Sequence, residues 1–175
     1  GYSNRTGTNG EEYTGLLAEL IVYERALSAN EMQRVHSYLA LKYGMTLDQS
    51  GSGGGTNYLA SDGAVIWTSD PADVYEHDIA GLGKDLGSAC NHDSNSLHQT
   101  IARSVNGDGL VTIAAGQTVN ISNADNQAIN PIANDKSFFI WANNNGSTLF
   151  NQAISSPNIN SRMARTWKVQ RTANW

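Results

Sequence analysis

From Leu16 to Tyr23 the chain reads LLAELIVY, with both alternating faces largely apolar and only Glu19 interrupting them. That pattern predicts a strand covered on both sides. Ser28-Ala29-Asn30-Glu31 comes next at capping-box spacing, in which the Ser28 hydroxyl and the Glu31 carboxylate each serve the other's backbone amide. A helix is predicted from there, over about residues 28–43. Met32, Val35, Leu39 and Tyr43 recur at spacings of three or four and share a face, and Gly44 suits the left-handed turn that ends a helix. Tyr38 and Leu41 widen the apolar surface beyond one stripe, so the helix is equipped to pack on the residues C-terminal to it.

Beyond residue 57 the pattern changes to short strands. Ala64–Trp67 precedes the turn Ser69-Asp70-Pro71, and Val74-Tyr75 leads into Ile79–Gly83. Leu97–Val105 and Leu110–Ile113 flank Asn106-Gly107-Asp108-Gly109, a hairpin signal. Ser137–Trp141 is a further strand, Asn143–Gly146 a turn, and Met163–Arg171 a last strand in which Trp167, Val169 and Arg171 alternate with Thr166, Lys168 and Gln170. The fold class this predicts is mainly β, an antiparallel β-sandwich with one N-terminal amphipathic helix. Asp48 to Asn57, DQSGSGGGTN, has the composition of a flexible linker and marks a boundary between residues 1–47 and a β domain over 58–175.

Ile21-Val22-Tyr23-Glu24-Arg25-Ala26-Leu27-Ser28, with a helix after it finishing Tyr38-Leu39-Ala40-Leu41-Lys42-Tyr43-Gly44, resembles the C-terminal strand and helix of a LamG-like, concanavalin-type jelly-roll domain. Asp78–Asp85 and Lys136–Trp141 look like the uncharacterised β-rich domain that comes after this ending in large bacterial surface proteins. The resemblance implies a secreted or cell-surface location, neighbouring domains in a larger chain, and adhesion or ligand binding. Only about two jelly-roll strands fit before Ser28, so no ligand site of a complete LamG-like domain carries over. The start at Gly1 and the end at Trp175, just after a strand pattern, lead us to expect an excised piece truncated near its last strand.

Composition sharpens this. Charged residues are 15% of the chain, while Asn reaches 19 and Gly 17 in 175 residues, as turn-rich β modules require. A net charge of −5 with only 11 Lys and Arg gives no electrostatic footprint for nucleic acid, and no apolar run is long enough for membrane insertion. Cys90 is the single cysteine, which rules out an internal disulfide and a cysteine-based zinc site.

Candidate chemistry is sparse. Cys90, His92 and Asp93 supply the residue types of a thiol hydrolase, but such groups are normally far apart in sequence, and the chain is expected not to be an enzyme. Asp78, Asp85 and Asp93 are the candidate oxygen ligands for calcium, with Asn106 and Asp108 nearby in the hairpin. Trp67, Trp141 and Trp167 lie in apolar strands and belong in a core, an assignment that leaves Trp175 aside; exposed aromatics would serve a carbohydrate platform. The expected function is thus a non-catalytic module binding carbohydrate or a cell-surface ligand. The alternative is a spacer or self-associating module pairing through exposed strands.

Overall fold

Ser28 caps a helix as its spacing predicts: its Oγ accepts from the Glu31 amide at 3.3 Å, and the Glu31 carboxylate accepts from the Ser28 amide at 2.8 Å. This helix, α1 (Ala29–Tyr43), ends at Gly44 in the left-handed conformation, φ 64°. The computed structural model describes residues 15–50, 55–70, 72–87, 99–101 and 103–175. After α1 come β1 (Tyr58–Leu59), β2 (Val65–Trp67), β3 (His77–Asp85), β4 (Gln99–Ile101), β5 (Arg103–Val105) and β6 (Thr112–Ala114). A second helix, α2 (Asn123–Ile129), precedes β7 (Ser137–Asn143), β8 (Gln152–Ser156), β9 (Ile159–Arg162) and β10 (Trp167–Arg171).

The chain is mainly β, and every strand pairing among the described residues is antiparallel. The central sheet has the order β10-β7-β3-β4, flanked by the ribbons β1-β2, β5-β6 and β8-β9. Directly paired residues share a face, so the register Gly81↔Ile140 and Gly83↔Phe138 puts these four on one side of the sheet. The pairs Ala80↔Trp141 and Leu82↔Phe139 then lie on the other. On the first face α1 settles close against β3: a Cβ at Gly81 would stand 3.0 Å from both Leu41 Cδ2 and Ile140 Cγ1. Beside it β2 covers β7 and β10, with Gln170 donating to the Ile66 carbonyl at 3.3 Å and the Lys168 ammonium 5.3 Å from the Trp67 ring centre. The second face is covered by Ile132 and by the half-buried Ile113 and Ala115. Residues 79–83 of β3 are consequently buried throughout, the continuous apolar burial of a strand covered on both sides.

One buried carboxylate closes the end of this strand. Asp85 is 2% exposed and accepts from the Ser61 amide at 2.8 Å, the Ser61 hydroxyl at 2.6 Å and the Gly87 amide at 3.0 Å, and it pairs with the Lys136 ammonium. Burial pushes the Asp85 carboxyl up, but the Lys136, Ser61 and Gly87 donors outweigh that and hold it below its ordinary value. Arg34 of α1 donates to the Ser61 carbonyl at 3.0 Å, so helix, β1–β2 loop, β3 and the approach to β7 meet at this point.

Several elements differ from the sequence pattern. Residues 16–23 form no strand: Glu19, Ile21 and Tyr23 are half-buried, while Leu16 (98%), Leu20 and Val22 stay exposed. A strand needs hydrogen-bonded neighbours, and here the segment is held to α1 instead. The Glu19 carboxylate accepts from Tyr38 Oη at 3.1 Å, Lys42 Nζ at 2.9 Å and Tyr43 Oη at 2.9 Å, and Ile21 packs on Tyr38. Of the run Leu97–Val105, residues 97, 98 and 102 lie outside the described residues; β4 joins the central sheet and β5 pairs with β6. Its hairpin turn stands as predicted, with the Gly109 amide donating to the Asn106 carbonyl at 2.8 Å. The last strand begins at Trp167 rather than Met163; in it Trp167, Lys168 and Gln170 are half-buried while Val169 and Arg171 are exposed. The Ser/Gly-rich stretch is closed at its ends by a Thr56 amide bond to the Asp48 carbonyl at 2.8 Å, and Leu41 and Ala40 share one core with the sheet. Helix α1 and the β domain are therefore packed together across the boundary that composition suggests.

Two stability outcomes are expected. Asp85→Ala, which leaves the half-buried Lys136 ammonium unpaired and removes an acceptor of three further donors, should destabilise by about 3–5 kcal/mol in chemical denaturation. Lys136→Met should cost less, because the remaining donors still serve the carboxylate. Since folding lowers the Asp85 pKa, its contribution is complete above the unfolded carboxyl value of about 3.9 and disappears as pH falls through the lower folded value. Melting curves at falling pH should show wild type losing more stability than Asp85→Asn. Gly83→Ala should destabilise by about 1–3 kcal/mol in the same assay, since its Cβ would fall 2.4 Å from Phe138 Cδ1 and 3.0 Å from the Ser137 carbonyl oxygen.

Candidate functional site

On the second face of the sheet a cleft of about 260 Å³ is lined by Ala115, Gly116, Pro131, Ile132, Asn134 and Trp175 among others. It is built where three stretches meet: the exit of β6, the segment after α2, and the chain beyond β10. Asn126 joins the first two. This fully buried side chain donates to the Ala115 carbonyl at 2.9 Å and accepts from the Asn120 amide at 3.2 Å, pinning the strand exit to α2. The α2 cap is of the kind found at Ser28, with Ser122 Oγ accepting from the Asp125 amide at 3.1 Å. Lys84 Nζ then donates to the Ala133 carbonyl at 3.1 Å and ties the segment after α2 to β3.

The third stretch carries the aromatic wall. Beyond β10 the Asn174 carbonyl accepts from Asn134 Nδ2 at 3.0 Å and from Ser137 Oγ at 2.9 Å, and the Trp175 amide donates to the Thr172 carbonyl at 3.2 Å. These bonds set the Trp175 ring against Phe139, with centroids 5.5 Å apart. The indole remains 37% exposed. Around it the walls are mostly apolar, with amide and hydroxyl groups from Asn134, Ser137 and Asn174 and no charged side chain. Asn130 stands behind the wall: a Cβ on Gly116 would lie 2.1 Å from its Cγ, and its Nδ2 is buried with no hydrogen-bond partner among the described residues. A shallow apolar recess with one exposed indole and a few neutral amides has the chemistry of a small-ligand site.

The residues singled out by sequence lie elsewhere. Asp78 and Asp85 occupy the two ends of β3, seven residues and so roughly 20 Å apart, and do not converge on one ion. Asp85 is engaged by Lys136 and Ser61. Asp78, in the left-handed region at φ 50°, accepts from Asn143 Nδ2 at 2.8 Å and lies 3.9 Å from Arg165 Nη1, which also pairs with Asp108. The structure therefore joins Asp78 to Asp108, but around a guanidinium. Asp93 falls outside the described residues, as do Cys90, His92 and His98. Among the described residues there is no group of three or more His, Cys, Asp or Glu side chains placed to hold a metal, and no helix long and apolar enough to cross a membrane. Trp67 and Trp141 are buried in the core and Trp167 packs against it, as their strand positions predict. Nothing in sequence spacing announces the cleft; the one hint is that Trp175 alone of the four Trp lies outside an apolar strand pattern.

Neither the curated proteins nor the solved structures contain a match to this chain. Residues 31–175 do match a family model, a span that takes in all but the start of α1, the whole central sheet, all three ribbons and every wall of the cleft. The chain therefore belongs to the family described as Domain of unknown function (DUF8202).

Proposed function

We propose that the domain is a non-catalytic ligand-binding module of a secreted or bacterial surface protein, and that it takes a neutral sugar ring in the Trp175 cleft. The observation that carries this reading is the exposed indole of Trp175, 5.5 Å from the Phe139 ring at a cleft whose apolar lining is broken by the neutral amides of Asn134 and Asn174. An indole face offers an apolar platform for the C–H face of a sugar, while amides and hydroxyls offer hydrogen bonds without demanding charge. The volume of about 260 Å³ suits one ring rather than a long polymer. The low-charge, turn-rich composition and the resemblance at Ile21–Ser28 support the extracellular setting.

A non-catalytic role is supported by what the buried and half-buried carboxylates do. Asp85 serves Lys136 and Ser61, Asp73 serves Lys168, and Asp78 and Asp108 share Arg165. For Asp73, burial acts upward, but the Lys168 pair and the Tyr75 amide hold the carboxyl below its ordinary value. Asp73 and Asp85, held below the ordinary carboxyl value by these partners, are poor general acids.

Saccharide binding should be read by intrinsic fluorescence and by a glycan array. Neutral mono- or disaccharides should perturb the emission of wild type, and Trp175→Ala should lose the array signal while melting within a few degrees of wild type. Retention of the same hits by Trp175→Ala, or the absence of any saccharide response in wild type, would sink the assignment.

A further inference from the structure

Strands β7 and β10 are antiparallel neighbours in the central sheet, and the chain between them is one long hairpin. Its base is firmly held. The Asn144 amide donates to the Thr166 carbonyl at 3.2 Å, the Ala164 and Arg165 amides to the Ser147 carbonyl at 3.0 and 3.1 Å, and Arg165 Nε to the Gly146 carbonyl at 2.9 Å. Past that base the hairpin runs out as the β8–β9 ribbon, paired Gln152↔Arg162, Ala153↔Ser161 and Ser156↔Ile159. Nearly every residue from 149 to 160 is exposed, including Leu149, Phe150 (68%) and Ile159, and neither strand packs substantially on any other described element. An isolated two-stranded ribbon is marginal in water, and each of its strands has an outer edge that no third strand among the described residues covers.

We infer that this ribbon is a self-association element, pairing edge to edge with the same ribbon of a second copy about a two-fold axis. The sequence says which partner it suits. Between Lys136 and Arg162 there is no charged side chain, although the chain as a whole carries a net −5. Two copies repel each other over most of their surfaces, and the uncharged arm is where they approach without that penalty. Exposed edge strands are ordinarily blunted by Lys, other charges or Pro within the strand. Here β8 and β9 hold none before the terminal Arg162, and Pro157 sits in the connecting turn. An antiparallel edge is complementary to itself, so one two-fold contact satisfies both copies and closes the assembly as a dimer. The inference is independent of the cleft, which is formed by other segments.

Sedimentation of the 175-residue chain over a wide concentration range tests it. Wild type should be a monomer–dimer system. Ser155→Lys with Asn160→Lys, both at exposed ribbon positions, places like charges across the contact and should weaken dimerisation by about ten-fold or more at unchanged melting temperature. Mixing that variant with Ser155→Glu/Asn160→Glu should restore pairing as a heterodimer. If the double variant melts early, Ser155→Lys alone is compared with Ser155→Glu in the same way. A wild type monomeric throughout, a dimer indifferent to the Lys and Glu changes, or open polymers in place of dimers would each overturn the two-fold ribbon contact.

Discussion

The burial of β3 on both faces is the constraint on which the rest of this domain depends. A strand enclosed between α1 with β1–β2 on one side and the Ile132 layer on the other has no water along residues 79–83 to serve its backbone. β7 pairs with this stretch from Ala80 onward and β4 joins at Gly83, while the Ile79 amide donates to Thr46 Oγ1 at 3.1 Å. Close approach is obtained by omitting side chains, since Gly81 makes room for Leu41 and Ile140, and Gly83 for Phe138. What remains is the return of the chain to polar surroundings at each end. Both ends solve it with a carboxylate and a cation, Asp85 with Lys136 and Asp78 with Arg165. Lys136 comes from just before β7, the neighbour of β3, and Arg165 from just before β10, one strand further out. The pairs are therefore also what aligns the ends of the sheet, a role in which a buried ion pair contributes position more than net stability.

How much of this could be read from the sequence depended on whether the signal was local. The capped helix, the Asn106–Gly109 hairpin and the strands containing Trp67 and Trp141 are dictated by residues a few positions apart, where capping, turn chemistry and short runs of apolar and aromatic residues act directly. The segment 16–23 misled because apolar alternation states what a strand would bury and not whether a partner edge exists. Helix α2 is announced only by Ser122 and Asp125, in a seven-residue stretch too short for hydrophobic periodicity to rise above the surrounding turns. The half-burial of Lys168 in β10 goes with its ammonium lying over the Trp67 ring, a contact that polarity alone hides.

The candidate sites divide in the same way. Acidic residues stand out in a chain with few charges, and their spacing invited a metal, yet an aspartate's role is fixed by the cation that tertiary structure brings to it. Lys136 lies 51 positions from Asp85, and Arg165 lies 57 from Asp108. The cleft is hidden for the complementary reason. Its walls are alanines, a proline, an isoleucine and asparagines, types with no chemical signature of their own, drawn from stretches on either side of α2 and from beyond β10. Only the exposure of Trp175 gives them meaning, and exposure is a tertiary property.

The distribution of charge sets the ribbon apart from the core strand it continues. Charged side chains in the described residues are concentrated where they hold elements together: Glu19 with Lys42 on α1, Asp73 with Lys168, Asp85 with Lys136, and Arg165 with its two aspartates. The uncharged span between Lys136 and Arg162 contains β7, the strand at the centre of the core, and the exposed ribbon that continues from it. In β7 neutrality is a consequence of burial, because a charge there would need a partner within the core. In the ribbon burial gives no such reason, since its side chains face solvent. A solvent-facing stretch ordinarily tolerates lysine and glutamate at little cost, and those residues would guard its edges against other strands. Their absence along both strands of an arm whose base is fixed by Arg165 and Asn144 is what the proposed ribbon contact accounts for and burial does not.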